Sequence, residues 1–159
     1  MLMPNYTLAE ILEYRNDDVI SSFLDSYNVT EEQAIDIFTE MLRFIWFCNI
    51  PGNKEFATVD HPLTIIDEMW HQFILTTKDY ISFCNNFFGE YIHHAPATKI
   101  EKTKFSEEKK DIDFRDRFLN EKRRKYEYVY DMLGEDIFIK WYEQYPTIYS
   151  LNIIKSIRK

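Results

Sequence analysis

The sequence has little glycine and proline, and this shortage excludes whole classes of protein. Only three Gly and five Pro occur among 159 residues. An all-β fold needs many tight turns, and tight turns depend on these two residue types, so the composition argues against such a fold. With so few glycines, the chain also has no glycine-rich loop of the kind that cradles phosphate groups.

Cysteine and positive charge are also scarce. Cys48 and Cys84 can form at most one disulfide, so the cysteine framework of small secreted proteins is absent. The 19 Lys and Arg residues are outnumbered by 27 Asp and Glu residues, which gives a formal net charge of −8. Nucleic acids and anionic membrane surfaces attract basic proteins, so we expect neither as a partner.

Long apolar runs are missing as well. The most apolar stretch, residues 41–50, is interrupted by Arg43 and is much shorter than the roughly 20 residues that cross a membrane. Residues 1–6 do not show the basic region and apolar stretch of a signal peptide. Together with the low cysteine content, these features predict a cytoplasmic protein with reduced thiols.

The residues that are present favour helices. Hydrophobic residues make up 45% of the chain, and in many segments they recur at helical spacing. The pattern predicts an all-α fold, a single compact domain over residues 1–159 with five or six helices. Those helices are expected at about residues 8–27 (with a break near 16–18), 31–50, 63–75, 78–88, 113–133 and 136–145. Between them we expect a polar loop at about residues 97–112, and after them a loose tail.

A histidine and aspartate group stands out in this helical pattern. Asp67 and His71 lie four residues apart in the predicted third helix, so their side chains should be neighbours. His93 and His94 follow Gly89, the expected end of the fourth helix, and adjacent residues of an extended segment point in opposite directions. If the third and fourth helices pack antiparallel, this histidine pair returns toward Asp67. The sequence therefore predicts that Asp67, His71, His93 and His94 bind a divalent metal, Zn or Fe.

A non-catalytic function explains the same residues in another way. Asp67, His71 and His93 would then form a buried hydrogen-bond network that fixes the helix packing of an interaction module. A protein partner would contact surface aromatic side chains, of which the candidates are Tyr142, Tyr145 and Tyr149.

Two Glu-x-x-His elements give a third, less favoured interpretation. Glu68 with His71, and Glu90 with His93, repeat the element that di-iron helix bundles use. The second copy straddles a predicted helix end, where the spacing of three residues does not guarantee that the side chains meet. A di-iron site also needs four facing helices, so a site with one metal ion is preferred.

The segments around these histidines resemble a known family. The similarity is strongest in Asp67-x-x-Trp70-His71 and in Gly89 followed by His93-His94. These motifs resemble an uncharacterised bacterial family that shares an Asp-x-x-Trp-His motif with the helical domain of plant and fungal glycine-rich-domain proteins. The resemblance covers about residues 40–145. It does not include the glycine-rich tail of the plant proteins. It implies that the motif residues belong to one recurring unit, and it implies no particular reaction.

Overall fold

A computed structural model describes residues 6–159, and these residues fold into helices. In this part of the chain no strand is present, and the one β-type contact is an isolated antiparallel bridge between Tyr27 and Arg158. The prediction of an all-α fold is therefore confirmed.

The helices are named here in chain order. They are α1 (Leu8–Leu12), α2 (Asp17–Ser26), α3 (Glu31–Cys48), α4 (Thr64–Leu75), α5 (Thr77–Phe88), α6 (Lys99–Glu108), α7 (Ile112–Leu133), α8 (Glu135–Ile139), α9 (Tyr145–Ile148) and α10 (Leu151–Ile157). Short 3₁₀ turns lie at Lys54–Phe56 and His61–Leu63, and one π-helical turn covers Lys140–Gln144.

The break expected near residues 16–18 is present, since the side chain of Asn16 accepts a hydrogen bond from the amide of Val19 at 3.1 Å and so begins α2. The expected number of five or six helices is nevertheless too low. The last predicted helix is divided into α8, the π turn and α9, and the C-terminal tail forms α10. A further helix, α6, lies within residues 97–112, where a polar loop was expected. There Thr98 and Glu101 form a reciprocal capping box.

One compact unit contains residues 6–92 and 139–159. At its centre α3 packs against α1, α2 and α4, and α4 also contacts α2 and α5. The core is rich in aromatic rings because both α3 and α4 present aromatic residues at helical spacing. Its largest fully enclosed side chains include Trp70, Trp141, Tyr80, Phe38, Phe44 and Phe73. This packing holds α4 rigidly along one side and leaves its Asp67 edge at the surface.

The other compact unit is residues 93–138, which contain α6 and α7. The ring of Phe105 lies 5.9 Å from that of Phe114 and 5.2 Å from that of Phe118. Further along, the ring of Tyr130 contacts that of Phe138 at 5.6 Å. Each unit thus has aromatic contacts of its own, and the prediction of a single domain over residues 1–159 stays a prediction.

The C-terminal tail, which was expected to be loose, contains α10 and is paired at its end. At the last residue of α10, the carbonyl of Ile157 accepts a hydrogen bond from the amide of Asn28 at 2.7 Å. The amide of Lys159 donates to the carbonyl of Ser26 at 2.9 Å. These bonds, on either side of the bridge between Tyr27 and Arg158, fix residues 157–159 to the end of α2.

A buried polar cluster on α3 was not expected from the sequence. Glu40 is only 1% exposed, and its carboxylate accepts hydrogen bonds from Trp141 at 2.6 Å and from Lys140 at 3.1 Å. Asp36, one turn earlier, accepts from Tyr145 at 2.6 Å. Tyr145 and Tyr149 are therefore buried in this unit, and the interpretation of both as surface contacts for a partner is wrong.

Candidate metal site

Asp67 and His71 meet on the exposed edge of α4. The carboxylate oxygen Oδ2 of Asp67 lies 3.3 Å from Nε2 of His71, as their spacing of four residues predicted. The side chain of Asp67 is 25% exposed and that of His71 is 45% exposed. Asp67 also lies in the first turn of α4, where the positive end of the helix dipole favours a carboxylate. The pair is anchored to a rigid helix yet open to solvent.

The predicted ligand group also contains the adjacent histidines His93 and His94, which differ in exposure. His94 is partly buried, whereas His93 is exposed. Adjacent residues pointing in opposite directions account for this difference.

Two buried hydrogen bonds fix the backbone just before the histidine pair. The indole Nε1 of Trp70 donates to the hydroxyl of Tyr80 at 3.1 Å, and that hydroxyl donates to the carbonyl of Ile92 at 2.6 Å. Burial raises the pKa of Tyr80, so the phenol keeps the proton that it donates. Trp70 follows Asp67 by three residues, so one helix both carries ligands and ties down the segment that leads to His94. The role of Tyr80 was not predicted, because it depends on a contact between helices.

A second carboxylate lies near the other ring nitrogen of His71, Nδ1. Glu68 Oε2 lies 4.0 Å from Nδ1 of His71. The same oxygen accepts a hydrogen bond from the hydroxyl of Tyr27 at 2.6 Å, and Glu68 Oε1 lies 3.3 Å from the Arg158 guanidinium. Burial, together with this bond to Glu68, raises the pKa of Tyr27 to about 12. The sequence indicated Glu68 only as part of the di-iron pattern.

The second copy of that pattern does not form a comparable group. Glu90 is 65% exposed and lies 3.6 Å from the ammonium of Lys54. His93 is exposed as well. The exposure of Glu90 and His93 favours a site with one ion over a di-iron centre.

The two cysteines do not take part in the group. Both are buried, and they form no disulfide with each other. Burial raises the pKa of the Cys84 thiol, which disfavours the reactive thiolate. The environment of Cys84 is therefore that of an inert thiol.

The donor atoms fit a small divalent cation. Two ligands at tetrahedral zinc, with bonds of about 2.0–2.2 Å, lie about 3.4 Å apart. The 3.3 Å between Asp67 and His71 is close to this separation. A carboxylate with two imidazoles is also a set that non-haem iron accepts. Asp67 and His71, together with a second imidazole, are thus chemically suited to hold such an ion.

The chain was also compared with known proteins. A family model described as UCP032817-like matches residues 9–129, which include every member of the group. No curated protein and no solved structure matches the chain. None of the helices formed by residues 6–159 has both the length and the apolar character that a membrane span requires.

Proposed function

Since the chain belongs to the UCP032817-like family, whose description names no activity, we propose a function from the chemistry of the site: Asp67, His71 and His94 bind one divalent metal ion, zinc or iron. The observation that carries this proposal is the solvent-open pair on α4, in which the Asp67 carboxylate oxygen lies 3.3 Å from the His71 ring nitrogen. Of the two adjacent histidines, His94 is proposed as the third ligand because it is partly buried, whereas His93 is exposed. The relationship to glycine-rich-domain proteins stays a prediction.

The electrostatic environment of the site favours the binding of a cation. Asp67 supplies one negative charge, and Glu68 lies beside it along α4, also with a carboxylate directed toward His71. Two neutral imidazoles add nitrogen ligands without adding charge. The net charge of −8 further favours cations near the surface.

Three protein ligands leave at least one coordination position for an external group. Closed structural zinc sites use four protein ligands, whereas catalytic zinc and 2-His-1-carboxylate iron sites keep a position open. An ion held in this way can polarise a bound oxygen atom and so support hydrolytic or oxidative chemistry. The protein's own contribution is to orient the ligands, which it does through α4 and through the hydrogen bonds from Trp70 to Tyr80 and on to Ile92.

The exposure of the histidines argues against the alternative of a buried structural network. A network that fixes packing must be enclosed, because hydrogen bonds gain their value where water cannot compete. The side chain of His71 is 45% exposed, and His93 is exposed too. The exposure of His71 suits a ligand that an ion must reach from solvent.

Metal analysis of the full-length, tag-free protein tests the proposal. The protein is reconstituted with Zn²⁺ or, without oxygen, with Fe²⁺, then desalted and measured by mass spectrometry of the elements. We expect close to one equivalent of metal in the natural sequence. His71→Ala and His94→Ala should each lower the retained metal at least tenfold, because two remaining ligands do not hold an ion through desalting.

His93→Ala is the matched control, because it removes an exposed imidazole next to His94 and should retain the metal. Circular dichroism of each variant shows whether it is folded. If the natural sequence retains neither Zn nor Fe after reconstitution, the proposed function is wrong, and the histidines are better studied as part of an interaction surface.

A further inference from the structure

His71 lies between two carboxylates, one for each ring nitrogen. Nε2 faces Asp67 at 3.3 Å, and Nδ1 faces Glu68 at 4.0 Å. The two carboxylates differ in what else they contact. Asp67 belongs to the group of potential ligands, whereas Glu68 accepts a hydrogen bond from Tyr27 and forms an ion pair with Arg158. This asymmetry gives the two ring nitrogens different roles.

We propose that Glu68 is the positioning residue of His71: it stabilises the proton on Nδ1 and so presents the lone pair of Nε2 to the metal ion. This inference rests on the proposed function. A neutral imidazole carries one proton, and only the other nitrogen can bind a metal. Metal-bound histidines generally direct their second ring nitrogen toward a carboxylate, carbonyl or water, which fixes the tautomer and the ring orientation.

Glu68 is well placed because its own position is fixed. Its Oε2 accepts the 2.6 Å hydrogen bond from Tyr27, a residue that is only 3% exposed. Its Oε1 meets Arg158, whose guanidinium also donates to the Tyr27 hydroxyl at 3.1 Å. Three side chains therefore contact one another beside His71: Tyr27 just after α2, Glu68 on α4 and Arg158 just after α10. At 4.0 Å the carboxylate acts on Nδ1 through its charge rather than through a direct hydrogen bond.

Asp67 opposes this effect when no metal is bound. Its oxygen is closer to Nε2 than Glu68 is to Nδ1, so without an ion it favours the proton on Nε2. A bound cation takes that position, binds the Asp67 oxygen and leaves Glu68 as the carboxylate that faces the ring proton. The influence of Glu68 can therefore be seen without metal only after Asp67 has been removed.

The experiment measures the tautomer of His71 directly. Metal-free Asp67→Ala protein is labelled with ¹⁵N-histidine, and the ring nitrogens are observed by NMR at about pH 8.5, where an ordinary histidine is neutral. We expect the Nδ1–H form to predominate. Adding Glu68→Gln should reverse the ratio of the two forms in favour of Nε2–H. Glu32→Gln, which neutralises an exposed carboxylate in the first turn of α3, should leave the ratio unchanged.

A metal titration of the otherwise natural sequence gives the second measurement. Loss of a carboxylate that orients a metal-bound histidine typically lowers affinity 10- to 100-fold, and we expect this from Glu68→Gln with Zn²⁺. If Glu68→Gln leaves the tautomer ratio unchanged, the role of Glu68 is wrong even where zinc binds. If the ratio reverses but the natural sequence binds no metal, the positioning role of Glu68 stands and the proposed function fails.

Discussion

At the scale of single residues, Glu40 shows how a charge is accommodated in an apolar core. Its neighbours along α3, Met41 and Phe44, are fully buried, and Glu40 itself is 1% exposed. A carboxylate without partners would be very costly in that position. Trp141, Lys140 and Arg43 all direct polar hydrogens toward it, so its charge is balanced and its oxygens are satisfied.

Replacing Glu40 with Ala should destabilise the protein strongly. The change leaves the buried Trp141 indole without its acceptor and removes one of the two carboxylates that contact Lys140, the other being Asp36. Leaving a buried donor unsatisfied costs about 1–3 kcal/mol. Urea denaturation followed by circular dichroism measures the loss. Glu32→Ala, in the exposed first turn of the same helix, should change the free energy of unfolding by less than about 0.5 kcal/mol. Equal losses in both variants would contradict this account of Glu40.

Residue roles were predictable from the sequence only where they depend on local spacing. Asp67 and His71 are four apart on one helix, and their contact was expected. The partners of Glu68 are 41 residues away at Tyr27 and 90 residues away at Arg158, as the residue numbers show. Residue spacing within one segment does not predict contacts with distant segments. The contacts of Glu68 with Tyr27 and Arg158 could therefore be identified only from the fold.

At the scale of elements, the end of α5 depends on a left-handed glycine. Gly89 has φ of 72°, a conformation that side chains with a Cβ rarely adopt, and its amide bonds to the carbonyl of Asn85 at 3.1 Å. Three residues later Ile92 accepts the hydrogen bond from Tyr80. The direction in which the chain leaves α5 therefore determines the positions of Ile92 and the histidines that follow it.

Gly89→Ala should lower the free energy of unfolding by about 1–2 kcal/mol, because a left-handed conformation is strained for alanine. No atom lies within 4 Å of the added Cβ, so crowding does not contribute. Gly89→Asn should lose less, since asparagine tolerates this conformation better. Urea denaturation of the three proteins gives the order. An Ala variant as stable as the natural sequence would show that the left-handed turn is not needed.

Helix positions were easier to predict than helix breaks. The predicted helices at 63–75 and 78–88 differ from α4 and α5 by no more than a residue at each end, because apolar residues recur clearly at helical spacing. The helix predicted from residue 31 begins as expected after the Thr30 capping box and ends at Cys48, shortly before Pro51. Region 136–145 was predicted as one helix, whereas it contains a π turn in which Lys140 and Trp141 reach Glu40. Tertiary contacts of this kind override local preference, and local patterns do not contain them.

At the scale of the whole molecule, an ion that binds only the folded chain must stabilise all of it. Asp67 and His71 lie on one helix, but His94 lies 23 residues beyond His71, so an unfolded chain does not hold the three ligands together. Binding energy therefore becomes folding energy. The same reasoning applies to either proposed metal.

Zinc at a concentration 100 times its dissociation constant should add about 2.7 kcal/mol to the stability of the fold. For a chain of this length the melting temperature should rise by roughly 5–11 °C. Thermal denaturation with and without Zn²⁺ measures the change, and adding a chelator should reverse it. His71→Ala should show almost no increase, and an equal increase in that variant would place the stabilising ion somewhere else.

The bridge between Tyr27 and Arg158 also affects the order in which the molecule folds. It closes a loop of 131 residues, and the entropy lost on closing a loop grows with its length. Contacts of such long range form slowly compared with those inside helices. Tyr27 can meet Glu68 earlier, across 41 residues, whereas Arg158 arrives once the intervening chain is ordered. The contacts that Arg158 makes with Glu68 and Tyr27 therefore depend on the longest loop closure, and we expect them to form late in folding.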